Sequence, residues 1–480
     1  MHRAPIQPLP PRASRYGIDP SLVKKRFADL PGMTSLMLQE LFPDTPEVIY
    51  PSAEGISAIR RAAEAALEKV DLSMIQPHHT VNVLASHHGF TLLGGEPYAE
   101  LLRTVYDVVK RRTGAKEVRL RAGVGLRFRE TEEYIKRFHL KQHFDRAMGM
   151  APIDEGIPIE TEIGTLYGLK RTYDADWIIH VHNSDVREVH FHRQVDRAVK
   201  PFGMSYARIE TRSTYHQNLG PRGANFTARA IFESPFVQSK FVGAVFLNMS
   251  PSGVLSVEAD NDLYRINDTI TVDGLRYYGK VFQLLGKIDE CIVGLDFPCP
   301  VPYVFSAGVI YCNFVGVNTD LFDLDVKLPP YTWYAEALYG KDGKPLIPEV
   351  KPVNPAIRMV VQNYAWIGYP SAFFAQQLPT IVVGKEQADL FEHDPQNLEY
   401  MKYAMIADNL DDAMKFAYKT TGTDKVIVFD GAVGGINVSE SLAEHLLSVA
   451  PKVSVEVDEI LMPKWLKQRG IGRNGVLVNA

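Results

Sequence analysis

The stretch from Ile178 to Arg229 holds five of the chain's fourteen histidines, His180, His182, His190, His192 and His216, after the apolar run WIIHVH. It also holds seven arginines, Arg187, Arg193, Arg197, Arg208, Arg212, Arg222 and Arg229. Imidazoles move protons near neutral pH or bind a metal, and guanidinium groups hold a carboxylate or phosphate through paired hydrogen bonds. The mixture points to an enzyme acting on a small anionic organic substrate. On a strand, alternate residues share a face, so His180 and His182 should point together, and His190 and His192 repeat that spacing. Those four are the candidate ligands of a divalent metal ion, with acid–base chemistry at His182 and His192 as the other use of the same rings. Arg187, Arg193, Arg212 and Arg222 are candidate substrate-carboxylate groups.

Other candidates lie outside that core. STYHQNLGPRGANFTAR reads as a rigid polar loop that offers His216 as a general base. TVNVLASHHG reads as a strand that delivers His87 and His88 beyond its end, with His88 the stronger candidate catalytic group. In GVGLRFRE, two glycines precede Arg127, which can meet an anion. FDGAVGGIN follows a strand and is expected to precede a helix, so the backbone around Gly434 and Gly435 is a candidate anion or cofactor cradle. His139 and His143, four apart on an expected helix from Glu132 to Met150, share a face, although an ordinary half-exposed surface explains them as well.

The elements that must position these groups read as α/β. GISAIRRAAEAALEKV is an amphipathic helix, and the pieces after it alternate strand, helix and strand. IPIETEIGTLYGL suggests strands or a hairpin, DADWIIHVH a buried strand, and SKFVGAVFLNMSPSGVLSVEAD strands with turns. Towards the end, LPTIVVG and DKVIVFDG are strands, while NLEYMKYAMIA and GINVSESLAEHLLSVA read as helices. The expected architecture is two α/β domains with open mixed or mostly parallel sheets flanked by helices, and a site in the interdomain cleft. Residues 1–50 would form an N-terminal extension, 51–240 the domain with the His/Arg-rich segment, and 241–480 the second domain.

Composition sets the outer limits. A chain of 480 residues, 46% hydrophobic and 23% charged, is globular and long enough for more than one core. Its net charge of −5 gives no general attraction to nucleic acid or an anionic membrane. No secretory segment or span-length apolar run is evident, so a cytoplasmic location is expected. Cys291, Cys299 and Cys312 are expected to be reduced thiols. The aromatic stretch from Tyr331 to Tyr339 is a candidate contact between subunits of a homo-oligomer.

Over roughly residues 80 to 240 the organisation resembles the lactate racemase superfamily, two-domain α/β proteins that interconvert 2-hydroxy-acid stereoisomers with a nickel-pincer nucleotide. The segment Gly125-Leu126-Arg127-Phe128-Arg129-Glu130-Thr131 stands where that family carries a histidine-containing motif, with Arg127 at the histidine position. The ADWIIHVH strand is similar to the strand that leads into the family's second catalytic region. The resemblance implies acid–base or nickel-contacting roles for His180 or His182, and for His190 or His192. Lys200, beside Pro201 and near Gly203, is the nearest counterpart of the cofactor-anchoring lysine. The expected function is therefore an isomerase, a racemase or epimerase of a small hydroxy acid or sugar acid, working by proton or hydride transfer. The alternatives are a divalent-metal-dependent lyase or hydrolase, and a noncatalytic anion-binding or scaffold protein.

Overall fold

The computed structural model describes residues 20–124, 130–184, 197–217, 226–296, 314, 322–325, 353–364, 378–393 and 400–471. In chain order the strands are β1 (Met33–Met37), β2 (Thr80–Ser86), β3 (Glu117–Gly123), β4 (Arg146–Met150), β5 (Gly156–Thr161), β6 (Gly164–Leu169), β7 (Trp177–Asn183) and β8 (Phe241–Ser250). They continue as β9 (Gly253–Asp260), β10 (Cys291–Leu295), β11 (Ile357–Gln362), β12 (Thr380–Val383), β13 (Ala404–Ala407), β14 (Val426–Phe429) and β15 (Gly435–Ser439). The architecture is α/β, with mixed sheets flanked by helices. Two compact units are present: the described residues of Ser14–Thr45 and Leu275–Trp465 form one, and those of Pro46–Gly274 and Leu466–Ala480 the other.

The Pro46–Gly274 unit is built on a six-stranded sheet in the order β4-β3-β2-β7-β8-β9. All neighbours are parallel except β9, which runs antiparallel to β8. From β2 the chain steps outward to β3 and β4, returns to lay β7 on the other flank of β2, and then adds β8. The direction of winding therefore reverses between β2 and β7, and in open α/β sheets the loops diverge there to leave a ligand crevice at the strand C-termini. Strands covered on both faces need apolar side chains on both, and β2 accordingly buries Val81, Val83, Leu84 and Ala85. The helix Glu96–Thr113 follows, bounded by left-handed glycines at Gly95 and Gly114. It buries Tyr98, Leu101, Leu102, Val105, Val108 and Val109 at helical spacing. The hairpin β5–β6 forms as expected.

The other unit carries a seven-stranded sheet in the order β1-β15-β14-β10-β11-β12-β13. Strands β14, β10, β11, β12 and the edge strand β13 are parallel, and β15 runs antiparallel to both β14 and β1. Cys291 is a buried free thiol on β10. Cys299, Cys312 and the 331–339 segment lie outside the described residues.

Four sequence expectations need correction. Glu132–Met150 is not one helix: helices Glu130–Arg137 and Leu140–His143 are split at His139, whose φ of 54° is left-handed, and Arg146–Met150 is a strand. The break removes the shared face expected of His139 and His143. Gly435–Ser439 is strand β15, because Ile436 and Val438 pair into the sheet, and the helix starts only after Ser439, whose side chain caps it by accepting from Leu442 N. The turn at Gly434 thus feeds a strand, and the expected helix N-terminus is not there. NLEYMKYAMIA is split between the one-turn helix Tyr400–Tyr403 and strand β13. His216 lies on the helix Ile209–Gln217 rather than in a loop.

Candidate functional site

The C-terminal ends of β2 and β7 bring together residues almost a hundred positions apart. His88 lies on a one-turn helix, His87–Phe90, that begins directly after β2, and it is buried. On β7, His180 and His182 share a face as the strand period requires, with ring centroids 5.6 Å apart, and both are buried. The His88 and His182 rings meet across the β2–β7 boundary at 6.4 Å between centroids. His87 stands 5.3 Å from His88 and 5.9 Å from the ring of Tyr134.

Two side chains that sequence reasoning did not single out fix this meeting. The last residue pair between β2 and β7 is Leu84 with His180. One step further on, the Tyr98 hydroxyl fills the widening gap: it accepts from Ser86 N at 3.0 Å and donates to Val181 O at 2.6 Å. Burial pushes this phenol well above its ordinary pKa, so it remains a donor. Tyr98 therefore ties the residue before His87 and His88 to the residue between His180 and His182. Ser205 also meets the end of β2, its hydroxyl 3.0 Å from that of Ser86, which is itself 3.4 Å from His88 Nδ1. Neither residue belongs to a recognisable motif, because each acts through chain segments distant in sequence.

His180 sits in a different environment from its neighbour. The rings of Phe202, Tyr206 and Phe246 surround it at 5.3, 5.6 and 5.2 Å, and its Nδ1 is 3.0 Å from the Tyr206 hydroxyl. Desolvation lowers its pKa to about 3, opposed only in part by a backbone hydrogen bond at Ala198. The ring is neutral at any working pH. Because the unfolded chain takes up this proton at the ordinary value of 6.5, the stability the ring carries is complete above that pH and drains as pH falls towards 3. The slope should reach about 1.4 kcal/mol per pH unit. Thermal unfolding followed between pH 7 and 5, before carboxylates protonate, should show a falling Tm, and His180→Gln should flatten that slope; an unchanged slope would mean that the ring protonates in place.

The remaining candidates distribute as follows. Lys200 begins the one-turn helix Lys200–Gly203 that also carries Phe202, and Arg212 lies on the helix with Tyr215; both cations are buried. Phe202, Tyr206 and Tyr215 belong to the core cluster that includes Ile178, Ala244 and Phe246, so these segments cover the sheet near His180. Gly434 and Gly435 are in the other unit, where Gly434 O accepts from Leu38 N and Gly435 opens β15. His190, His192, Arg127, Arg187, Arg193 and Arg222 lie outside the described residues. Among the described residues no three His, Cys, Asp or Glu side chains gather to hold a metal ion, and no helix is long and apolar enough to cross a membrane.

Comparison with solved structures gives a weak, partial match to the lactate racemase apoprotein from Thermoanaerobacterium thermosaccharolyticum. The identity is 12% and the TM-score 0.42, over 78% of this chain and 92% of that one. No family model matches the chain, and no curated protein does.

Proposed function

We propose that the chain is an isomerase, a racemase or epimerase of a small hydroxy acid or sugar acid, with His88 and His182 as its acid–base pair. One observation carries this reading: an imidazole from the one-turn helix after β2 and one from β7 converge at the winding reversal of the six-stranded sheet, their ring centroids 6.4 Å apart. A general base reaches about 3 Å from its ring nitrogen, and rings whose centres are 6.4 Å apart can each turn a nitrogen towards one substrate carbon. One ring takes the proton from that carbon as the other returns a proton to the opposite side, and the hydroxy acid leaves inverted with no net change in protons or oxidation state. Inversion needs two bases, and neutral His180 is a poor one. Its part is to hold the β7 face in place through Tyr206.

The substrate carboxylate would be held by guanidinium groups drawn from Arg127, Arg187, Arg193, Arg212 and Arg222, which match it bidentately. His180, His182, His190 and His192 are the imidazoles from which a divalent metal set would be drawn, and Lys200 the anchor of a nickel-pincer nucleotide. That group, when bound, supplies hydride acceptance at an alcohol carbon. The proton step itself is assigned to His88 and His182. Incubation of the purified chain with single enantiomers of 2-hydroxy acids and sugar acids, read by chiral chromatography, should show inversion with an intact carbon skeleton. Cleavage or dehydration of the skeleton would assign the site to a lyase or hydrolase instead.

A further inference from the structure

Where β8 begins, at the end of the six-stranded sheet away from the histidines, three aromatic side chains line an open pocket of about 360 Å³. That volume lies in the range of small-molecule sites. Phe241 opens β8, Phe232 lies near the end of the helix Phe226–Glu233, and Tyr264 stands in the first turn of the helix Leu263–Leu285. His182 pairs with Phe246, five residues along β8 from Phe241, so about 16 Å of strand separates this pocket from the proposed acid–base pair. The two sites are distinct.

The rings meet close to perpendicular. Phe232 stands at 88° to Phe241 with centroids 5.1 Å apart, and at 77° to Tyr264 with centroids 5.8 Å apart, so it stacks face to face on neither. Phe232 is buried, while Phe241 and Tyr264 are half-buried. An aromatic face is the negative side of its ring, and here the charged groups of the lining have the same sign. Glu233 and Asp262 are exposed, and both hold Tyr264: its hydroxyl donates to Glu233 Oε1 at 2.5 Å, and its backbone N–H to Asp262 Oδ1 at 2.9 Å. A phenol that donates to a carboxylate has a more electron-rich ring. Arg229 and Arg265 approach these two carboxylates at 3.6 and 3.7 Å but do not line the pocket. Among the described residues that line it there is no positive charge.

Such a lining suits a cation with little hydration to lose. An ammonium that keeps its N–H donors needs acceptors in place of water, and one oxygen of each carboxylate is already engaged by Tyr264. A quaternary ammonium has no donors to satisfy, so ring faces and the field of nearby carboxylates are enough to hold it.

We propose that this pocket binds a small quaternary ammonium compound, held by cation–π contact with Tyr264 and Phe241 and by the field of Glu233 and Asp262. Equilibrium dialysis of the full chain against choline at constant ionic strength should show saturable binding of a single choline per chain. The alcohol 3,3-dimethylbutan-1-ol, which has the shape of choline without its charge, should bind about tenfold more weakly or worse. Tyr264→Leu should raise the dissociation constant for choline about tenfold. Glu233→Gln and Asp262→Asn should each raise it about fivefold, and because both side chains are exposed they keep the test open where Tyr264→Leu fails to fold. Glu160→Gln, which removes an exposed carboxylate from the β5–β6 hairpin, should leave it unchanged. The absence of saturable binding, an uncharged alcohol bound as tightly as choline, or a loss that Glu160→Gln reproduces would each overturn the proposal.

Discussion

Replacing either His88 or His182 with glutamine is expected to lower kcat for inversion by about 10²- to 10⁴-fold, the range over which a positioned proton-transfer group acts. Glutamine keeps a polar side chain of comparable length in a buried position, so the fold should survive where alanine would leave a cavity. The double variant should be little slower than either single one, because inversion stops once one of the two rings is missing and residues that act as a unit are not additive. Steady-state rates of the three variants, with circular dichroism as the folding control, check this. Losses that multiply in the double variant would mean that the rings work independently.

A second large effect is expected from a residue without functional atoms. Gly123 ends β3, and a Cβ built there would stand 2.0 Å from Ser205 O and 2.7 Å from Ser205 C. Both are backbone atoms, so no rotamer change relieves the clash. Gly123→Val must lift the segment around Ser205, breaking its contact with Ser86 and shifting Tyr206, the partner of His180. Overpacking of this kind costs about 1–3 kcal/mol, and inversion should fall with it because the end of β2 loses a tie. Gly114→Ala is the contrasting case. Its φ of 65° is unfavourable for alanine, but the nearest atom is Pro77 Cγ at 3.8 Å, so about 1 kcal/mol and no loss of rate are expected. Thermal unfolding of both variants, together with their inversion rates, distinguishes the two mechanisms.

What the sequence made legible was local. The alternation in WIIHVH places His180 and His182 on one face because a strand has a period of two, and the apolar run before His87 and His88 places them just past a strand end. The crevice was not legible, since it depends on β7 lying beside β2 after the chain has gone out to β4 and come back, and strand order is a property of the whole sheet. Tyr98 escaped for the same reason: its hydroxyl serves Ser86 and Val181, which only the sheet brings together. Elsewhere two local signals compete in one segment. The Gly-Pro pair at Gly220 and Pro221 suggested a loop around His216, yet the helix runs to Gln217 before reaching it. The four-residue spacing of His139 and His143 suits a helix, yet the left-handed turn at His139 ends one there. The glycines before Ile436 read as a helix entry, although the alternation of Ile436 and Val438 belongs to a strand.

Solvent deuterium uptake into a hydroxy acid that the chain inverts tests the central claim most directly. With one enantiomer supplied at a time, the wild type should place solvent deuterium on the inverted carbon of both. His88→Gln and His182→Gln should each keep exchange with one enantiomer and lose it with the other, in opposite senses. Inversion that retains the substrate's own hydrogen, or two variants that still exchange both enantiomers, would contradict a pair of imidazoles facing one carbon.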